Sequence, residues 1–254
     1  MSGLVTLEHV EPGIALLSLS DAEGQNRFSE PFIAELLARL EQLAQDVEVR
    51  VGVIRGLPDV FCAGASEEIL LDLAEGRMGS TEIVLPRVVL DLPIPMVAAM
   101  EGHAIGGGLA LGLCCDIVLM ARESRYGCSF MNMGFTPGMG TTLLLAQALG
   151  EHRAAEMMYG GQFFRGSHFA QGTGVNYVVP RDEVLSKAME LGQRIAEKPR
   201  HALVLLKRSL SLAKRTAFEQ ARTVETMMHE ICFSRPETAE LIEDNYASAA
   251  EDEK

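Results

Sequence analysis

Two segments of small residues constrain this chain more than any other feature. They are residues 61–66 (FCAGAS) and residues 101–110 (EGHAIGGGLA), each set directly behind a short apolar run. Glycine has no Cβ, so such backbone can turn sharply and bring bare N–H groups against a ligand. Each segment leads into a stretch that reads as helix, whose first amides have no intrahelical partner. Two such amides aimed at one oxygen form an oxyanion hole, where each donor lowers a barrier by about 3–4 kcal/mol. Between residues 102 and 142 the only acids are Asp116 and Glu123. The site is therefore expected to lack a carboxylate for adding or removing water.

Other uses of the glycine triplet 106–108 can be weighed from its surroundings. A phosphate loop would end in Gly-Lys-Ser/Thr, whereas Leu109 and Ala110 stand there. A dinucleotide turn needs a third glycine at set spacing and an acid about twenty residues on, and the chain has neither. A tight strand–helix turn needing glycine only for packing stays open for the triplet alone. The second glycine-bearing turn, and the Pro/Gly-shaped loop over residues 126–142 (YGCSFMNMGFTPGMGTT), favour a ligand site.

The rest of the chain supplies an α/β frame. Residues 4–9 and 14–19 read as a hairpin about Glu11-Pro12-Gly13. Ser29 and Pro31 open a helix through Asp46, with Phe32, Leu36, Leu40 and Leu43 at helical spacing. Strands are expected at 49–55, 96–100, 116–121 and 176–179, and helices near 66–75, 80–92, 109–114 and 141–149. From Asp182 the pattern is helical throughout: 183–197, a helix from Pro199 through Ala213, then 217–232 and 237–250. The division expected is a core over residues 1–190 and a helical region over 191–254.

Composition bounds the partners. With 48% apolar residues the chain can bury a sizeable core, and a net charge of −13 argues against a polyanion as main partner. The five cysteines are odd in number and lack metal-ligand spacing, which fits a reduced cytoplasm. The segment MSGLVTLEHV shows no basic region followed by an apolar core, so no signal peptide is expected. No run approaches the length of a membrane span, and neither a nucleic acid nor a membrane is an expected partner.

At this point the sequence resembles the crotonase, or enoyl-CoA hydratase/isomerase, superfamily. FCAGAS is similar to its first oxyanion loop, EGHAIGGGLALGLCCDIVLMARESRYG to its second loop, helix and following strand, and FTPGMGTT to its Pro-Gly turn. The resemblance implies the crotonase (ClpP-like) α/β spiral of ββα units with a C-terminal helical trimerisation region, as a homotrimer or a dimer of trimers. It also implies that the oxyanion donors are the amides of Ala65 and Gly107, with no cofactor and no metal. The two glutamates that hold water in the hydratases match Ala110 and Phe130 here, and neither side chain can transfer a proton. Hydration is therefore not expected, and a carboxylate-based isomerase is disfavoured for the same reason.

Loss of CO₂ makes an enolate without a base. FMNMGFTPGMG, RESRYG and VETMMHE further resemble the decarboxylating enoyl-CoA hydratase-like enzymes of polyketide β-branching. Those act on a 3-methylglutaconyl thioester carried on an acyl carrier protein, giving 3-methylcrotonyl or its isomer. The spacing around His229 alone favours a packed or surface residue. The resemblance instead makes it the group that pairs with the leaving carboxylate or reprotonates the dienolate. His103 is expected to bond backbone. Some decarboxylases of the group carry Tyr and Lys on the helix after the first loop, where this chain has Ile69 and Leu73. These two, with Phe130, Met131 and Met133, are expected to line the acyl pocket. Arg27 is a candidate for the pantetheine end; Lys207, Arg208, Lys214 and Arg215 read by default as a solvated helix face, the alternative being a patch for the pantetheine phosphate or an acidic carrier surface. Two alternatives remain: another enolate enzyme, such as a malonyl-type decarboxylase or atypical enoyl isomerase, and a non-catalytic scaffold that binds acyl thioesters.

Overall fold

The computed structural model describes residues 3–79 and 84–252. Its frame is two sheets. Strands β1 (Val5–Glu11), β2 (Ile14–Leu19), β3 (Val51–Arg55), β5 (Met96–Met100), β7 (Ile117–Ala121) and β10 (Tyr177–Val179) make the larger one in the order β1-β2-β3-β5-β7-β10. Only the β1–β2 hairpin is antiparallel. Strands β4 (Val60–Cys62), β6 (His103–Ile105), β8 (Arg125–Gly127) and β9 (Phe163–Arg165) make the smaller sheet, parallel except for β9.

The repeat is a strand in the large sheet, a strand in the small sheet, then a helix. β3 and β4 lead to α2 (Glu67–Ala74), β5 and β6 to α4 (Gly107–Cys114), and β7 and β8 to α5 (Thr141–Leu149). This is the expected ββα spiral. Parallel strands need such crossovers, and the helices they carry bury both faces of the sheet. Period-two alternation divides the two faces. Val51, Val53, Val97, Ala99 and Leu119 pack with Val184, Ala188 and Ala196 of α7 (Arg181–Ala196). Leu17, Ile54, Met96, Ala98 and Met100 face the main core with α1 (Glu30–Gln45), α3 (Leu85–Asp91) and α4.

Short strands with little periodicity escaped the sequence reading: β4, β6, β8 and β9. So did α6 (Glu151–Gly160), where only Ala154 and Met157 are buried. The helix read over 80–92 begins at Leu85 in its described part, and residues 80–83 lie outside the described residues. Residue 190, where a division was expected, falls inside α7.

The two helices read at 199–213 and 217–232 form one, α8 (Arg200–Phe233). Its 34 residues contain neither Gly nor Pro to break it. Its middle is anchored by cations. Lys207 is buried and pairs with Asp116 at 2.6 Å, while Lys214 donates to the carbonyls of Leu113 and Cys115 at the end of α4. Arg215 pairs with Asp91 at 3.2 Å. This corrects the reading of a basic face: Lys207 and Lys214 are spent inside the fold, and Arg215 is paired with Asp91 at its surface. α9 (Pro236–Asp252) then folds back over α2. Among the described residues no helix is long and apolar enough to cross a membrane.

Candidate active site

The C-terminal ends of β4, β6 and β8 meet at a cavity of about 330 Å³. Gly64 and Gly106 make the turns there at φ +86° and +52°, conformations that L side chains rarely adopt. The first loop is fixed by a parallel bridge between Phe28 and Ala65. In it the Phe28 amide donates to the Gly64 carbonyl at 2.7 Å, and the Ser66 amide to the Phe28 carbonyl at 3.0 Å. That pairing uses the groups flanking Ala65 and turns the Ala65 amide the other way. The second loop enters α4 at Gly107, two residues earlier than the apolar run suggested. As the first helical residue, Gly107 has no carbonyl four back to bond within its helix. Ala65 and Gly107 both line the cavity, and a β-carbon on Gly64 would lie 3.7 Å from the Gly107 nitrogen.

Close packing explains the remaining glycines of the triplet. A β-carbon on Gly108 would stand 2.2 Å from the Cys62 carbonyl oxygen, so α4 lies against the end of β4 with no space between. On Gly107 it would meet the Met139 sulfur at 2.6 Å and the Phe28 ring at 2.9 Å. Phe130 covers this turn, its ring 3.4 Å from where a β-carbon on Gly106 would be. Ala110 is fully buried in α4.

Across the cavity stand Ile69, Leu70 and Leu73 of α2, Met133 and Phe135, and Phe233 and His229 of α8. Ile69, Leu73, Phe130 and Met133 are thus placed as expected. Met131 is not: it is exposed on the 3-10 turn Phe130–Met133 and does not reach the cavity wall. A 3-10 turn sends successive side chains about 120° apart, so its neighbours at 130 and 133 face inward while it faces out. Arg27 does not line the cavity either; its guanidinium lies 5.9 Å over the ring of Tyr246.

His229 is 5% exposed. Its Nε2 is 2.9 Å from the Thr136 carbonyl oxygen, which can only accept, so Nε2 carries the proton and Nδ1 the lone pair of the neutral ring. Burial lowers its pKa below the ordinary histidine value, opposed by the Thr136 carbonyl and by the charge of Glu225. Phe135 and Phe233 hold the ring edge-on, with centroids 6.1 and 5.3 Å away. The same imidazole lines a second, more polar cleft with Glu75, Thr226, Glu230 and Ser234. His103 behaves as expected, accepting the Arg125 amide at Nδ1.

Among the described residues lining the cavity, the only carboxylate is Glu30, exposed at the first position of α1. Asp116 is held by Lys207, and Glu123 accepts the Arg181 amide. Sequence reasoning missed Tyr246, which lines the cavity from α9 and donates its hydroxyl to the Ala65 carbonyl at 2.7 Å. It also missed Glu225, Phe135 and Met139. An acid four residues before His229, on the same helix face, was the signal available for Glu225; no local pattern marks Tyr246.

Comparison with known proteins agrees with this geometry. The family model described as enoyl-CoA hydratase/isomerase matches residues 9–244. Bacillaene synthase decarboxylase PksI of Bacillus subtilis (strain 168) is 37% identical over 246 residues, covering 96% of this chain and 98% of the relative. The ECH2 decarboxylase domain of CurF from Lyngbya majuscula superposes with a TM-score of 0.89 at 36% identity, over 96% of this chain and all of that one. A structure from a dehydratase/decarboxylase enzyme couple involved in polyketide β-branching gives 0.91 at 36% identity, over 95% and 98% of the two chains. By sequence and by fold, the chain belongs to the enoyl-CoA hydratase/isomerase family.

Proposed function

We propose that the protein is a cofactor-free decarboxylase of polyketide β-branching, acting on a 3-methylglutaconyl-type thioester borne by an acyl carrier protein. The observation that carries this reading is a cavity lined by Ala65, Gly107 and one buried histidine, whose single carboxylate among the described residues is the exposed Glu30 at the start of α1. The decarboxylases among its relatives support the same chemistry.

The thioester oxygen sits on the Ala65 and Gly107 amides. The bond between the terminal carboxylate carbon and its neighbouring methylene breaks, CO₂ leaves, and the electron pair spreads through the double bond onto the thioester oxygen. Both amides strengthen their hold as this charge develops, at about 3–4 kcal/mol each. The apolar wall from Ile69, Leu73 and Phe130 solvates the departing carboxylate poorly, and conversion to neutral CO₂ relieves that. The incoming carboxylate draws a proton onto Nδ1 of His229, since an adjacent anion favours the charged ring. Histidinium pairs with the carboxylate and then delivers that proton to the dienolate. Protonation at the former methylene gives 3-methylcrotonyl, and at the carbon next to the thioester its isomer.

The assembly is a homotrimer or a dimer of trimers. α8 exposes Leu206, Leu210, Val224, Met227 and Ile231. Leu206 and Val224 are about five turns apart, so one stripe of the helix carries them. A second copy of the chain covers that stripe. Light scattering of Met227→Glu tests this, a monomer being expected.

Mass spectrometry of a 3-methylglutaconyl-loaded carrier protein tests the activity. Loss of one CO₂ is expected; a product heavier by one water, or substrate bound tightly and unchanged, would overturn it.

A further inference from the structure

Glu225 is a buried carboxylate in α8, 3% exposed, and lies one helical turn before His229 on the same face. It has no cation partner among the described ion pairs, yet all its acceptor capacity is directed at one place. Oε2 accepts the Gly140 amide at 2.7 Å, and Oε1 accepts the Thr142 amide at 3.1 Å and the Thr142 hydroxyl at 2.5 Å. Gly140 and Thr142 open α5, where first-turn amides and the helix dipole favour an anion.

The segment 136–142 is therefore stapled to α8 at both ends. Thr136 is held by the His229 Nε2–H and Gly140–Thr142 by Glu225. Two features inside the segment need such clamping. Met139 is a non-glycine residue at φ +60°, a conformation that persists only where its surroundings enforce it. Its sulfur fills the space over the Gly107 α-carbon. Gly138 lies against the imidazole so closely that a β-carbon there would be 2.4 Å from His229 Cε1.

We propose that Glu225 is a positioning residue for the decarboxylation: through the 136–142 turn it fixes both the His229 tautomer and the seating of Met139 on the oxyanion glycine. This rests on the reading of His229 as the proton carrier. The charge has a second consequence, because it lies on the imidazole's own helix and favours histidinium. Among the described residues, the other acids that line the polar cleft with that ring are Glu230 of α8 and Glu75 just past α2. The charge removed is the buried one, so solvent screens it least.

The test combines CO₂ release from the 3-methylglutaconyl carrier protein across pH with histidine NMR of the unliganded protein. Proton delivery needs histidinium, so activity falls as pH rises through the imidazole pKa. Glu225→Gln removes a charge that raises that pKa and turns an NH₂ toward a backbone N–H. Its alkaline fall-off is expected at lower pH, with kcat down about tenfold, KM within about twofold, and His229 resonances departing from the Nε2–H pattern. Glu225→Asp keeps the charge and is expected to restore the position of the fall-off with part of kcat. Thr142→Val removes one donor, and if Glu225→Gln does not fold it carries the test alone, with a shift of the His229 resonances expected. Unmoved His229 resonances in either variant overturn the proposal, whatever happens to kcat. Wild-type CO₂ release by His229→Gln would sink the proton-carrier reading separately, while the resonances still judge Glu225.

Discussion

The wall of the cavity made by the ββα spiral and the wall made by the C-terminal helices work by opposite means. The spiral offers main-chain donors at Ala65 and Gly107, held by a strand bridge and a helix start. α8 and α9 offer side chains, His229, Phe233 and Tyr246, on regular helix. Backbone donors cannot be mutated away, only displaced by a side chain that does not fit. Side-chain groups can be deleted while the helix stays. The first wall is therefore rigid and intolerant, and the second is where substrate preference can change without loss of the fold.

Gly107→Ala is the hardest test of the rigid wall. Its β-carbon meets the Met139 sulfur and the Phe28 ring, so the amide must move. A kcat loss of roughly 10²–10³-fold is expected, the magnitude of one lost oxyanion donor. An alanine variant within tenfold of wild type would mean that this amide does not touch the thioester oxygen. His229→Ala probes the other wall and is expected to cost about 10²-fold in kcat, at the lower end for a general acid, with fold and KM retained. Rapid-quench measurement of CO₂ against product release would place the loss at protonation; kcat within about twofold of wild type would refute the assignment.

Tyr246→Phe joins the two walls, because it removes only the hydroxyl that donates to the Ala65 carbonyl. Burial pushes that phenol up to about 12, so it stays a donor at any working pH. One neutral hydrogen bond is worth about 1 kcal/mol, so roughly a fivefold fall in kcat/KM is expected. Leu73→Lys is the smallest effect: no rise in decarboxylation rate, since the apolar wall already destabilises the carboxylate. A large rise would mean that charge pairing, not poor solvation, drives loss of CO₂. Across pH, the neutral buried His229 also bears on stability. Its folded pKa lies below the unfolded 6.5, so the unfolded chain binds more protons between them. Stability is expected to rise with pH through that window and level off above it, and His229→Ala should flatten this dependence in urea titrations.

How much could be read locally follows from what each element needs. The β1–β2 hairpin, α1 with its Ser29 cap, β5 and α5 stood where periodicity placed them, since each carries its own apolar face or cap. The three-residue strands of the small sheet are too short to show a period, and exist because the large-sheet strands before them deliver the chain there. α8 was divided at Lys214-Arg215 because two charges interrupt its apolar pattern; the fold gives those charges carbonyl and carboxylate partners. Met131 was misplaced because the 3-10 turn, not legible in that loop, puts residues 130 and 133 on one side and residue 131 on another.

The sequence by itself determined the two glycine turns at the cavity, because glycine-rich backbone permits those torsions and that closeness. It also puts Ala110 and Phe130, neither able to transfer a proton, where the resemblance places the hydratase glutamates. Only the tertiary structure decided which side chains face those turns. Glu225 and Tyr246 lie more than eighty residues from the segments they touch, and contacts of that span are set by how helices pack, which no local pattern encodes.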